Sequence, residues 1–297
     1  MTGALPIQRW RIVMSGLAVA LVLILILATT AGRGAASDFL AEFRGERFAA
    51  VSLSTDQIAN VEQTMSEMQH LGTVSGIETA PESQVVAGVA AASQAVGFPV
   101  LEPDPATLPE GVGPSPAQVR VVPAHQVRFT VDLDQARAYY QSIGQNDVTL
   151  SERFDGASLI INTPPAVVLE YRNAAAPTSS PFGIGLLVGQ AGTVTAGSEG
   201  GVTLDELRAF LLGLPGLSPE TVEQLQEIDS WKTTLPVPIP VDQVNWERAT
   251  IAGSPGLLLN DNTGLGSAAI WERDGRIYAV AGAMKARELK RVAASLH

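Results

Sequence analysis

The chain has no cysteine in its 297 residues. That excludes disulfides, a thiolate nucleophile, a cysteine-bearing zinc site and the acylated cysteine that anchors a lipoprotein. It does not fix the compartment. Histidine is almost as scarce: His70, His125 and His297 are the only three, and no two have the spacing of a metal-ligand pair. Positive charge is short too. Of 19 Lys+Arg, Arg9, Arg11 and Arg33 flank an N-terminal apolar run, so the rest of the chain sets 16 against all 30 Asp+Glu, 16 − 30 = −14. Nucleic acid and anionic lipid headgroups are poor partners for such a surface, and solubility is the ordinary consequence of the charge.

Charge is also missing between Arg11 and Arg33. A run of about 21 residues rising 1.5 Å each spans about 30 Å, the hydrocarbon thickness of a bilayer. A removed signal peptide has a shorter apolar core and a small-x-small cleavage site. Thr29-Thr30-Ala31 and Gly34-Ala35-Ala36 are passable cleavage sites, but neither is a clean A-x-A. The length favours an uncleaved signal anchor over residues 12–32, with Trp10 at its boundary. Arg9 and Arg11 precede the span and no acid occurs before Asp38, which sets the N-terminus inside. The expected layout is a cytoplasmic tail over 1–11, a single span, and everything after Arg33 outside the cytoplasm at the cell membrane.

The exported part reads as α+β, an antiparallel sheet with packed helices. Residues 38–100 suggest a small β-α-β-α unit: a strand from Phe48 to Leu53, a helix opened by Ser54-Thr55-Asp56-Gln57 and stopped by Gly72, a strand from Thr73, and an alanine-rich helix from Glu82 ended by Gly97. PVLEPDPATLPEGVGPSP is too rich in proline for a regular element and marks a crossing segment or boundary. Residues 101–297 then give strands in succession, Gln118–Val122, His125–Val131, Ala157–Asn162, Val167–Tyr171 and Phe182–Gln190, with a helix from Leu133. Thr203 and Glu206 form a capping box opening a helix to Leu212, and Ser218-Pro219 opens another. The end of the chain is strand-rich, with Asp274-Gly275 the strongest hairpin signal and a helix from about Ala286. The two units together are also compatible with one domain. Strands beside strands, with helices in blocks, argue against a parallel doubly wound sheet.

Few residues could carry chemistry. Ala252-Gly253-Ser254-Pro255-Gly256 resembles a nucleophile elbow, but the residue after the serine must give its backbone N–H to an oxyanion, and Pro255 has none. Asn260-Asp261-Asn262-Thr263-Gly264 is rich in oxygen like a calcium loop, yet it lacks the alternating acids and distant glutamate of an EF-hand and reads as an Asx turn. Gly183-x-Gly185 lies inside a strand pattern, which is not a nucleotide loop. Asp132 and Asp134 stand where they would cap the following helix. The sequence therefore names no catalytic, cofactor-binding or metal-ligating residue, and no cofactor is expected.

FLAEFRGERFAAVSL, VGFPVLEPDPATLPEGV, VRFTVDLDQARAYYQSIG, FDGASLIINTPPAVVLEY, LDELRAFLLGLPGLSPETVEQLQEIDSWKTTLPVPIP and AAIWERDGRIYAVAGAMKARELKRVAASL together resemble a bacterial group of membrane-anchored exported proteins. The closing pattern is similar to the exported domains of anti-sigma-factor-like and sigma-E-regulator-like proteins. The resemblance implies an antiparallel α+β exported domain with a curved sheet, and no activity. It departs from anti-sigma factors in having only Met1 to Arg11 inside, so a regulatory role would act through another membrane protein. The leading expectation is a non-catalytic exported sensor or accessory module working through a membrane protein partner, such as a transporter or signalling complex. The alternatives are a carrier or sensor of an apolar ligand, lipid or lipoprotein, and a hydrolase whose site is not visible in the sequence.

Overall fold

The computed structural model describes residues 47–53, 69–76, 82–173, 184–213, 219–227 and 234–297. The apolar run over 12–32, the helix expected after Ser54 and Trp231 lie outside the described residues. Among the described residues no helix is long and apolar enough to cross a membrane.

The strands are β1 (Arg47–Leu53), β2 (Gly72–Ser75), β3 (Gln84–Val86), β4 (Gln118–Val122), β5 (His125–Val131), β6 (Ser158–Thr163) and β7 (Ala166–Arg172). They continue as β8 (Ile184–Gly192), β9 (Thr195–Glu199), β10 (Thr234–Pro240), β11 (Val244–Ile251), β12 (Ser254–Asp261), β13 (Ser267–Arg273) and β14 (Arg276–Gly282). The helices are α1 (Val89–Val96), α2 (Leu133–Ser142), α3 (Leu204–Leu212), α4 (Pro219–Gln226) and α5 (Ala286–Ala294). Eight strands form one sheet in the order β11-β12-β13-β14-β8-β7-β4-β3, and four form another, β2-β5-β6-β9. Every pairing in both sheets is antiparallel. The mixed α+β class with antiparallel sheet is thus present.

The two sheets are one set of strands bent along a line. β4 runs into β5 through Pro123-Ala124, β6 into β7 through Pro164-Pro165, and β8 into β9 through Thr193-Val194. Val122, Ala166 and Ala191 make the last shared rung on one side. His125↔Thr163 and Asn162↔Thr195 begin the ladder on the other. Proline has no N–H to donate, so three prolines on this line interrupt the ladder where the sheet turns. A side chain at Gly192 would bring its Cβ within 3.0 Å of Pro164 Cβ, which is why glycine ends β8 at the bend.

The eight-stranded sheet is covered differently on its two faces. On one, Trp271, Tyr278, Val280, Val188 and Leu169 pack against Ala92 and Val96 of α1 and Leu289, Val292 and Ala293 of α5. On the other, Leu257, Ile270 and Ile277 meet Phe48, Val237 and Ile239 from a two-stranded parallel ribbon of β1 and β10. Pro236, Pro238 and Pro240 alternate along β10 and have no N–H to give to a ladder. The outer side of β1 is occupied by the Gln224 side chain of α4, which accepts from Ser52 N at 2.7 Å and donates to Ser52 O at 3.3 Å. In the four-stranded sheet Phe129 and Val131 face α2 and α3 through Leu133, Tyr140 and Leu207. The alternate positions, Thr73, Gln126, Arg128 and Asn162, are polar, with the buried Ile160 opposite Arg128 among them.

One expectation for residues 38–100 needs correction. The helix from Glu82 is shorter: Gln84–Val86 is a strand on β4, and the helix starts only at Val89, because Gly88 sits at φ 124, outside the right-handed helical region. The strands of that stretch find their partners further along the chain: β1 joins β10, β2 joins β5 and β3 joins β4. The proline-rich segment is an ordered crossing. The buried Gln190 amide accepts from Leu101 N at 2.8 Å and donates to Leu101 O at 2.7 Å, while Glu102 and His297 exchange backbone hydrogen bonds.

Candidate functional site

The residues singled out by chemistry are engaged in local structure. Ala252 and Gly253, at φ 49 and φ 85, form a two-residue turn between β11 and β12, and Ser254 is the first residue of the returning strand. The serine is thus in a hairpin and not at a strand-to-helix junction. Asp261 is buried, accepts from Leu265 N at 3.0 Å and Thr263 Oγ1 at 2.8 Å, and holds the turn before β13. Gly185 lies within β8.

Asp132 is the N-cap of α2, its Oδ1 accepting from Gln135 N at 2.9 Å, and Asp134 lies in the first turn, ion-paired with Arg137 at 3.1 Å. The histidines are not brought together. The His70 ring stacks on Tyr139 with centroids 4.9 Å apart. His297 Nδ1 is 2.9 Å from Ser295 O. His125 stands beside the bend, and its buried Nδ1 has no hydrogen-bond partner among the described residues. Among the described residues no group of three His, Asp or Glu could hold a metal ion.

The buried tyrosines belong to the cores. Burial raises the Tyr140 phenol to about 12, with the neighbouring Tyr139 adding to it. Burial also raises Tyr171, and Glu102 reinforces the shift. Among the described residues neither hydroxyl has a hydrogen-bond partner, nor does Trp271 Nε1. On the surface Arg128 lowers Glu199 by a side-chain hydrogen bond, and the Thr203 cap lowers Glu206.

What the fold does assemble is a contrast in charge pairing. Arg128, Arg137 and Arg153, on the four-stranded sheet and its helical side, each lie beside a carboxylate: Glu199, Asp134 and Glu152, and Glu206. Arg120 on β4 pairs with Glu170 on β7 at 2.9 Å. On the helix-covered face of the eight-stranded sheet the arrangement differs. Leu289, Val292, Ala293 and Leu296 turn into the core at helical spacing, which forces Arg287, Lys290 and Arg291 to the outside of α5. Glu288, the one acid of that helix, has its Oε2 at its own helix start, 3.4 Å from Lys285 N. On the same face of the sheet, at the Asp274-Gly275 hairpin, Arg273 lies 5.3 Å from the Tyr278 ring centroid and Arg276 lies 5.0 Å from that of Phe98.

Which carboxylates stand near the cations of α5 depends on the acids that the fold brings there, and no local pattern shows that. The signal available in sequence was the cluster Lys285-Ala286-Arg287-Glu288-Leu289-Lys290-Arg291 in a chain otherwise short of positive charge. Compared with protein-family models, with curated proteins and with solved structures, the chain matches none of them.

Proposed function

We propose that the chain is a non-catalytic, membrane-tethered module at the cell membrane, held by a single span over 12–32 with its folded part outside the cytoplasm, and that it acts through a membrane protein partner. The likeness to exported domains of anti-sigma-factor-like and sigma-E-regulator-like proteins belongs to the same proposal. The observation that carries it is that Ser254, Asp261 and Asp132, the residues with the best claim to chemistry, are each committed to a hairpin, a turn or a helix cap. A charged, asymmetrically paired surface supports a binding role over turnover. In this reading the acidic exterior keeps the module soluble beside the bilayer and makes association sensitive to salt.

The test combines two assays on the full-length chain. Carbonate washing of membranes should leave it in the bilayer, and crosslinking in intact membranes should recover one specific protein. Ester, peptide and glycoside panels should give no turnover. Release of the chain by carbonate, or hydrolysis abolished by a single serine or acid substitution, would overturn the reading. Stoichiometric lipid on the purified chain would favour the apolar-ligand carrier instead.

A further inference from the structure

Resting on the proposed partner-binding role, we infer that the outer face of α5 docks an acidic protein segment. Arg287 and Arg291 are exposed and Lys290 is half-buried, and their spacing of three and four residues puts them on one side of the helix. Among the described residues none of the three has an ion-pair partner, whereas Arg120, Arg128, Arg137 and Arg153 do. Two acids near the helix take part in local hydrogen bonds. Glu288 accepts at the start of α5, and Asp104, next to the far end of the helix, accepts from Ala106 N at 2.9 Å. Arg273 and Arg276 stand over the rings of Tyr278 and Phe98, 5.3 and 5.0 Å from their centroids.

Charge complementarity then selects the occupant. Unpaired cations on a rigid helix favour carboxylates, and the planar guanidiniums of Arg287 and Arg291 suit bidentate contact with Asp or Glu side chains. A membrane surface is the poorer fit, because the same exported part carries −14 overall and a bilayer would meet that charge over a broad area. A peptide segment meets only the local patch. The helix is a stable platform for it, since its opposite side is sealed into the core by Leu289, Val292 and Ala293, each 0 % exposed.

The test uses the full-length chain in neutral nanodiscs with a fluorescent peptide of alternating glutamate and alanine as the probe. Binding is read by anisotropy, and hydrogen exchange locates it. The peptide should slow exchange over 285–291, and affinity should fall about tenfold between low and physiological salt, as exposed charges are screened. The triple variant Arg287→Glu, Lys290→Glu, Arg291→Glu should abolish binding with its melting temperature unchanged. If that variant melts lower, Arg291→Gln alone, expected to weaken binding about threefold, decides the matter. Protection elsewhere, binding untouched by the variants, or protection of α5 by phosphatidylglycerol nanodiscs without peptide would overturn the inference. Because the probe is synthetic, failure here is distinguishable from failure of the partner-binding role, which the membrane crosslinking judges separately.

Discussion

The eight-stranded and four-stranded sheets share three strand passages but solve the burial problem in opposite ways. The larger sheet has apolar layers on both faces, helices on one and the β1–β10 ribbon on the other. The smaller has helices on one face and, on the other, mostly polar side chains around the buried Ile160, with cross-strand pairs that include Thr130 Oγ1 and Ser158 Oγ at 2.9 Å and Gln126 with Asn162 at 2.7 Å. A sheet covered twice gains most of its stability from apolar contact, and one covered once leans more on caps and surface pairs. Charge follows the same division. The smaller sheet matches its cations with acids, and the helix side of the larger one leaves cations available.

That contrast is most severely tested in the core under α5. Leu289→Ala should cost about 2 to 5 kcal/mol, because its side chain is enclosed and its removal leaves a cavity between helix and sheet. Denaturant unfolding measures it. An unchanged midpoint would show α5 to be loosely attached and would remove the platform for docking. Next in size is Gln190→Leu, which leaves the N–H and carbonyl of Leu101 without their amide partner and should cost about 1 to 3 kcal/mol. Faster exchange of the Leu101 amide, with the four-stranded sheet unaffected, is the expected signature. A global loss of protection would mean that the two sheets open together.

The smaller sheet should show itself at high pH. The Tyr140 phenol is raised to about 12 from an ordinary 10.0, so its contribution is fully present below pH 10 and is lost as pH rises from there through about 12. Tyr140→Phe should flatten that alkaline decline and cost little at neutral pH, because the hydroxyl has no partner to lose. A variant with the same alkaline profile as the parent would assign the decline to other groups. The smallest effect belongs to the surface. Arg128→Ala should cost less than about 1 kcal/mol and the difference should shrink in salt, as an exposed pair with Glu199 predicts. Glu199 and Glu206 have lowered folded values, so their contribution is present above the ordinary glutamate range and is lost as pH falls through the lowered one. Acid titration of melting temperature checks that sign.

Local signals in the sequence carried over well into the structure. The Thr203–Glu206 capping box forms with both hydrogen bonds, since its partners are three residues apart. Asp274 and Gly275, at φ 54 and φ 71, make the expected two-residue turn, and α5 begins at Ala286 with Leu289, Val292, Ala293 and Leu296 inside. What could not be read was decided far along the chain. β3 was hidden in an alanine-rich helical pattern because Val85 and Val86 gain strand pairing only when β4 lies alongside. The parallel match of Arg47 with Thr234 leaves no local trace. Prolines at 123, 164 and 165 read as ordinary turn residues until the register aligns them across three passages. The candidate docking face was least legible of all, for an unpaired cation is defined by the acids that the fold keeps away from it.

One measurement separates the two regions directly: site-specific photocrosslinking of the full-length chain in intact membranes, from Ala294 on α5 and from Gln141 on α2, both exposed. The account predicts a single salt-sensitive protein adduct from Ala294, lost when Arg287, Lys290 and Arg291 are reversed to glutamate, and none from Gln141. Equal adducts from both positions, or an adduct from Gln141 alone, would contradict it.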